Sequence, residues 1–220
     1  MRTVVIAIDG PSGAGKGTVA RAIAKSLCCV YVDTGAMYRS VALKAKDLGI
    51  SLGDESLVAE LVSSSEFKFN ANKVIVDGHD VTQAIRAPEI DIAAAEVARL
   101  PQVRARLVAC QRAYATAGML VMEGRDIGTT VFPSADVKIY LDASPDERAR
   151  RRAADLSHRG SRGEEVANAL EARDRKDRTR EVSPLKKAAD AFLVETTGVS
   201  VEDVVHQVMT IVRDKLRDRS

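Results

Sequence analysis

Gly10-Pro11-Ser12-Gly13-Ala14-Gly15-Lys16-Gly17-Thr18 follows the apolar run Val4-Val5-Ile6-Ala7-Ile8 and leads into a helix-like stretch from Thr18 to Leu27. A strand, a glycine-rich turn and a helix N-terminus in this order form a phosphate-binding loop. Glycines let the backbone take positive φ and bring its N–H groups close to a polyphosphate. The helix start adds unpaired donors and positive dipole, and Lys16 supplies a point charge for β- and γ-phosphates. The residue after the lysine is Gly17, which has no hydroxyl for a metal ion. A Mg²⁺ ion here is expected to rest mainly on phosphate oxygens and water, which suits an ion that dehydrates reluctantly.

Outward from this loop, short apolar segments alternate with helical ones. Val30–Val32 precedes Asp33-Thr34-Gly35 and a helix ending near Gly49; Met119–Met122, Val137–Leu141 and Phe192–Val194 follow. This rhythm predicts an α/β fold, a parallel sheet flanked by helices. Ligands of such sheets bind beyond the carboxyl ends of the strands. The glycine-rich loop, Asp33-Thr34-Gly35, Glu123-Gly124-Arg125-Asp126 and Glu195-Thr196-Thr197-Gly198 are expected at those ends. Between about Asp54 and Arg86 the pattern changes: Glu66–Asn70 and Lys73–Asp77 read as short antiparallel strands, with Gly78-His79 as a turn. Leu100–Gly118 reads as one helix with Pro101 in its first turn, and a last helix spans about Val201–Leu216.

The 220 residues are 45% hydrophobic and 29% charged with a net charge of +2, the composition of an ordinary soluble globular protein. No apolar run is long enough to span a membrane, and the chain starts on its first strand rather than on a signal peptide, so a cytoplasmic protein without a membrane partner is expected. Cys28, Cys29 and Cys110 have no disulfide or zinc spacing, and the adjacent pair is expected in the core. His79, His158 and His206 are scattered and read as surface or loop residues.

A second dense segment holds Arg148, Arg150, Arg151, Arg152, Arg159, Arg162, Arg173, Arg175, Arg178 and Arg180, interleaved with acids. Arg173, Asp177 and Arg180 are spaced to share one helical face, whereas Arg150, Arg175 and Arg178 read as a solvated, ion-paired face. Phosphoryl transfer accounts for such an abundance. A phosphate monoester carries roughly −1.5 to −2 charges at neutral pH. It must approach a triphosphate in line while planar guanidinium groups neutralise both. An ionised acceptor phosphate needs no general base, so the lack of a catalytic histidine is no objection.

Taken together, these motifs resemble bacterial cytidylate kinase, a P-loop nucleoside monophosphate kinase family, over nearly the whole chain. The resemblance rests on Ile8–Thr18, on Asp33-Thr34-Gly35-Ala36-Met37-Tyr38-Arg39, on Gly124-Arg125-Asp126-Ile127-Gly128-Thr129 and on Arg173 to Pro184. It implies a nucleoside monophosphate kinase fold forming a single unit over 1–220. A small antiparallel β insertion would lie within a monophosphate-binding region at 36–100, and a mobile helical lid at 146–165. The implied reaction moves the γ-phosphoryl group of Mg·ATP to CMP and dCMP. The resemblance assigns Gly10, Pro11, Ser12, Gly13, Ala14, Gly15, Lys16, Gly17 and Thr18 to the donor phosphates, and Thr197 and Gly198 to the adenine. Tyr38, Arg39, Arg125 and Arg180 would hold the acceptor phosphate beside Asp33 and Thr34. Arg104 and Asp126 would address cytosine, and Arg173 and Asp177 the ribose. Lys16, Arg125, Arg152 and Arg180 are the implied catalytic set. Lid arginines including Arg148, Arg152 and Arg159 would close over the transferring group. No direct protein ligand to Mg²⁺ is implied, Glu123 acting through water. One departure is Ala95, where the family commonly has a serine against cytosine; this leaves UMP or a broader pyrimidine range as an alternative.

Two other classes share single features. A GTPase switch would use the same loop, but Asn72-Lys73-Val74-Ile75 lacks the carboxylate of a guanine-reading motif. A nucleic-acid module would exploit the arginines, but aromatics make up only 4% of the chain and offer few stacking surfaces. A monomer without a nucleic-acid partner is the expectation.

Overall fold

A computed structural model describes residues 3–69, 73–116, 118–154 and 163–217. In chain order it begins with β1 (Val4–Asp9), α1 (Lys16–Ser26), β2 (Val30–Asp33), α2 (Thr34–Asp47) and α3 (Glu55–Ser64). Next come β3 (Phe67–Phe69), β4 (Val74–Val76), β5 (His79–Asp80), α4 (Pro88–Val97) and α5 (Pro101–Ala113). The rest is β6 (Met119–Gly124), β7 (Val137–Asp142), α6 (Pro145–Ala154), α7 (Gly163–Thr179), β8 (Phe192–Glu195) and α8 (Val201–Arg217). Two compact units divide the chain, Met1–Tyr31 with Ala115–Ser220, and Val32–Tyr114.

The first unit is built on a sheet ordered β2-β6-β1-β7-β8, to which it contributes the opening residues of β2. β1 runs parallel to β6, from Val4 beside Met119 to Asp9 beside Gly124, and parallel to β7 on its other side. β7 in turn pairs in parallel with β8. A central parallel strand is covered on both faces, which is why Val5–Ile8 is uninterrupted apolar sequence and fully buried. Ile6, Ile8, Val121, Ile139 and Leu141 pack with Val19 and Ile23 of α1 and with Val204, Val208 and Val212 of α8. The predicted parallel α/β sheet is therefore present, and its carboxyl ends carry Gly10, Arg125, Ala143 and Thr196.

In the second unit, α2 packs on α4 and α3 on α5. Asp33 and Asp54 cap α2 and α3 by accepting from the N–H groups of Ala36 and Leu57, both at 3.0 Å. Pro88 and Pro101 open α4 and α5, where no intrahelical donor is missed. The insertion is an antiparallel sheet ordered β3-β4-β5. Its third strand was hidden in sequence, because Gly78-His79 reads as a bare turn. Asp77 and Gly78 both have positive φ, +48° and +83°, the geometry of a two-residue hairpin loop that returns His79–Asp80 alongside β4.

Two further expectations change. The helix expected to reach Gly118 stops at Ala113, because Tyr114 N–H turns to the Gln111 carbonyl. Gly118, at φ +81°, then accepts from Val4 N–H at 2.8 Å as β6 begins. The cysteine pair divides: Cys29 is half-buried and packs against the core, whereas Cys28 is exposed in the turn between α1 and β2, at φ +49°. His79 and His206 are exposed, as expected, while His158 lies outside the described residues. No helix among the described residues is long and apolar enough to cross a membrane.

Candidate active site

The loop after β1 is shaped by close approach. Gly10 has φ +148°, and a Cβ there would lie 2.0 Å from the Leu141 carbonyl oxygen, so no other residue fits. Gly15, at φ +88°, precedes α1 without a capping side chain, leaving the first N–H groups of the helix for a ligand. Lys16 is buried and folds back to donate its Nζ proton to the Pro11 carbonyl at 2.7 Å. Burial, joined by the Arg125 and Arg173 charges, lowers its pKa to about 7 against the opposing pull of Glu123 and Asp9. Asp9, at the end of β1, accepts from the N–H groups of Ile127 and Gly128, both at 2.8 Å. Burial nevertheless raises its pKa to about 6. A buried ammonium crowded by positive charge and short of negative partners is poised to gain a polyanion.

Glu123, near the end of β6, stands beside α1. Its Oε1 lies 2.8 Å from where a Cβ on Gly17 would be, which accounts for the glycine after the lysine. Tyr31 O–H donates to the same oxygen at 2.6 Å. Arg21 donates to the Tyr31 hydroxyl at 3.3 Å, and its guanidinium lies 5.6 Å from the ring centroid. The carboxylate thus takes the space that a hydroxyl-bearing side chain would fill.

α6 brings two arginines, and α7 an acid, to the back of the loop. Arg148 is buried and pairs with Asp174 while donating to the carbonyls of Ala143 (3.0 Å) and Ser12 (3.3 Å). Asp174 also accepts from Ser12 N–H at 3.4 Å. Arg148, expected among the lid arginines, here has its guanidinium engaged in holding α6, α7 and the loop together. Arg151 grips Glu147 and the Thr196 hydroxyl, at 2.7 and 2.9 Å. Thr196 in turn donates towards the carbonyls of Ala14 and Asp142. Next to it, exposed Thr197 accepts from Ser144 N–H at 2.8 Å, and Gly198 turns the chain at φ +69°. Arg152 is partly buried on α6, whereas residues 155–162, with Arg159 and Arg162 and the middle of the expected lid, lie outside the described residues.

Beyond β6, four charged side chains form one network. Arg125 Nε donates to Asp177 Oδ2 at 3.0 Å, and Arg180 lies 3.6 Å from Asp126 and 4.0 Å from Asp177. Burial tends to raise the Asp177 pKa, but Arg125, Arg173 and Arg180 outweigh it and hold the carboxyl below its usual range. Arg180 sits one residue past α7, where its Nε donates to the Ser183 carbonyl and Leu185 N–H returns to the Asp177 carbonyl at 2.7 Å. This wrap keeps Arg180 on the face of Asp177 after the helix has ended.

The second unit gathers its own set. Asp33, besides capping α2, accepts from Arg39 Nη2 at 2.9 Å, and Arg39 Nη1 lies 3.9 Å from Asp91. Arg39 Nε is buried with no hydrogen-bond partner among the described residues. The Arg104 guanidinium lies 5.7 Å from the Tyr38 ring centroid, and its Nη1 donates to the Ala98 carbonyl at 3.3 Å. Thr34 is buried at the start of α2, and Ala95 is buried on α4.

The family model described as cytidylate kinase matches residues 6–214. A cytidylate kinase of Limosilactobacillus fermentum is 48% identical over 225 aligned positions, covering all of both chains. One from Pelotomaculum thermopropionicum is 50% identical, covering 93% of each. This chain belongs to the cytidylate kinase family. Among solved structures, a gluconokinase from Sinorhizobium meliloti superposes with a TM-score of 0.53 at 15% identity, covering 99% of this chain and 97% of its own. That likeness concerns the fold alone.

Within this cytidylate kinase family chain, the structure brings Lys16, Glu123, Arg125, Asp126, Asp177 and Arg180 together in the first unit, and Asp33, Arg39, Tyr38 and Arg104 in the second. Reading the sequence missed Asp9, Tyr31, Arg151, Asp174 and Thr196. Asp9, as a carboxylate ending an apolar strand, and Thr196, in a loop expected at the carboxyl ends of the strands, carried signals; Tyr31 meets Glu123 across 92 residues.

Proposed function

We propose that this protein transfers the γ-phosphoryl group of Mg·ATP to CMP, and to dCMP as a second acceptor. The observation that carries the reading is buried Lys16 on a phosphate loop, in the same unit as the Arg125–Asp177–Arg180–Asp126 network. Lys16 and the loop amides bind the donor phosphates, with Thr197 and Gly198 on the adenine side. Arg125 and Arg180 supply fixed positive charge for the acceptor phosphate. Tyr38 and Arg39 also serve the acceptor phosphate, beside Asp33 and Thr34; Arg104 and Asp126 address the base, and Arg173 and Asp177 the ribose. Arg152 assists the transferring group, and the segment 146–165 acts as the lid.

The residues present fit a Mg²⁺ ion that rides on the nucleotide. Glu123 fills the space where Gly17 lacks a side chain, and its carboxylate is a hard oxygen acceptor suited to a metal-bound water. Glu123 would hold such an ion through water, and the ion would supply positive charge to the polyphosphate during transfer. Glu123 and Lys16 then flank the polyphosphate from opposite signs of charge.

A broader pyrimidine acceptor range has one specific observation in its favour. Ala95 is buried on α4 and offers no side-chain hydrogen bond. The loss of one such bond costs about 0.5–1.5 kcal/mol, which weakens discrimination without abolishing it. A coupled assay with CMP, dCMP, UMP and AMP separates the readings: CMP and dCMP turn over best, and preference for AMP or no turnover of any monophosphate refutes the proposal. In the same assay Arg180→Ala lowers kcat/KM for CMP by about 10²-fold while ATP affinity is unchanged. An unaltered CMP rate and KM would remove Arg180 from the acceptor site.

A further inference from the structure

Tyr31 lies at the end of a chain of contacts that the phosphotransfer reading leaves unused. Its hydroxyl accepts a hydrogen bond from Arg21 Nη1 at 3.3 Å and donates one to Glu123 Oε1 at 2.6 Å. Arg21 rides on α1 one turn beyond Gly17, with Nη2 3.5 Å from where a Cβ on Gly17 would stand. Glu123 and Arg21 therefore both stand against Gly17, the residue after the lysine that lacks a side chain, and Tyr31 joins them. A carboxylate on a strand end rotates about its terminal torsion unless something holds it. The Tyr31 bond is short, charge-assisted and buried, and it fixes one oxygen of Glu123 and with it the plane containing the other.

We propose that Tyr31 is a positioning residue that acts through Glu123 on the metal side of the donor nucleotide, so that the protein binds the magnesium complex of ATP more tightly than ATP alone. A tyrosine at the start of β2 thereby does work that a hydroxyl beside the lysine does in other phosphate loops, and it does so across the sheet rather than from within the loop. Arg21 supports it twice, by donating to the hydroxyl and by lying over the ring, and so orients the phenolic proton towards Glu123. The inference rests on the donor-nucleotide reading of the loop given above.

The test measures ATP dissociation constants without CMP, in excess Mg²⁺ and in EDTA, for the wild type, Tyr31→Phe, Glu123→Gln and the double variant. Tyr31→Phe keeps the ring beneath Arg21 and removes only the hydroxyl. It weakens ATP binding about three- to tenfold in Mg²⁺ and leaves the EDTA value unchanged, the fold-change expected of one charge-assisted hydrogen bond. Glu123→Gln produces the same metal-dependent loss, and in that background the Tyr31 substitution adds nothing. A purely structural tyrosine would weaken both conditions alike or lower the melting temperature alone. Equal changes with and without metal, no change in either, or a full Tyr31→Phe effect in the Glu123→Gln protein would each overturn the proposal. Should Tyr31→Phe prove unfolded, an unaltered metal preference in Glu123→Gln overturns it. Failure of wild-type protein to bind ATP in either condition would overturn the donor reading as well.

Discussion

Replacing Lys16 with alanine lowers kcat by about 10³-fold or more, the scale at which a single fixed charge contributes to phosphoryl transfer. That corresponds to about 4 kcal/mol of lost transition-state stabilisation. Single-turnover kinetics with saturating ATP and CMP check it, and a fall of less than tenfold would deny the lysine its role. The same side chain imposes a pH dependence whose sign follows from its burial. Its folded pKa of about 7 lies below the ordinary 10.5. Between those values the folded protein holds fewer protons than the unfolded one, so this group makes stability rise with pH from neutrality upwards. A polyphosphate reverses the effect by favouring the ammonium form. ATP binding at pH 8 therefore draws in close to one proton, and far less at pH 6. Titration calorimetry in buffers of different ionisation enthalpy reads this uptake, and Lys16→Ala abolishes it.

Asp174→Ala is the second large effect, and it acts on stability. Arg148 is buried and its guanidinium pairs with Asp174 between α6 and α7. Removing the carboxylate strands a cation that is cut off from water, a change that costs about 3–5 kcal/mol. For a chain of this size the melting temperature falls by roughly 6–20 °C. The Ser12 N–H loses its acceptor at the same time, so ATP affinity drops along with stability. Pairing Asp174→Leu with Arg148→Met returns most of the stability, because neither charge is then buried alone. ATP affinity stays low in the double variant, since Ser12 remains without both contacts. Thermal unfolding and ATP titration of the wild type and these two variants separate the packing role from the loop-holding role.

Reading the sequence succeeds where the signal is local. The phosphate loop is legible because apolar strand, glycines, lysine and helix lie within fifteen residues, and their order admits one geometry. The parallel sheet is legible because β1, β6 and β7 are uninterrupted apolar runs. What escapes is set by partners far away in the chain. Arg148 and Arg150 stand two residues apart in the same dense run, yet one is buried against Asp174 and the other is exposed against Glu147. Nothing in composition distinguishes them; the difference is which side of α6 meets α7. Tyr31 looks like an ordinary strand aromatic until Glu123 arrives from β6. The exposed Cys28 fails for the opposite reason: a positive-φ turn outweighed the apolar character that suggests burial. Arg180 was placed on a helical face by spacing, but the chain reaches that face by a wrap after the helix.

The central strand carries an implication for how the chain is made. β1 leaves the ribosome ahead of the strands that flank it, for both its neighbours, β6 and β7, lie more than 100 residues downstream. During synthesis its bare apolar edge waits unpaired, since contacts so distant in sequence close late. Val32–Tyr114, by contrast, is a continuous piece whose internal packing needs nothing made afterwards. Nascent chains halted before β6 therefore shield that intervening piece from protease while leaving β1 to chaperones.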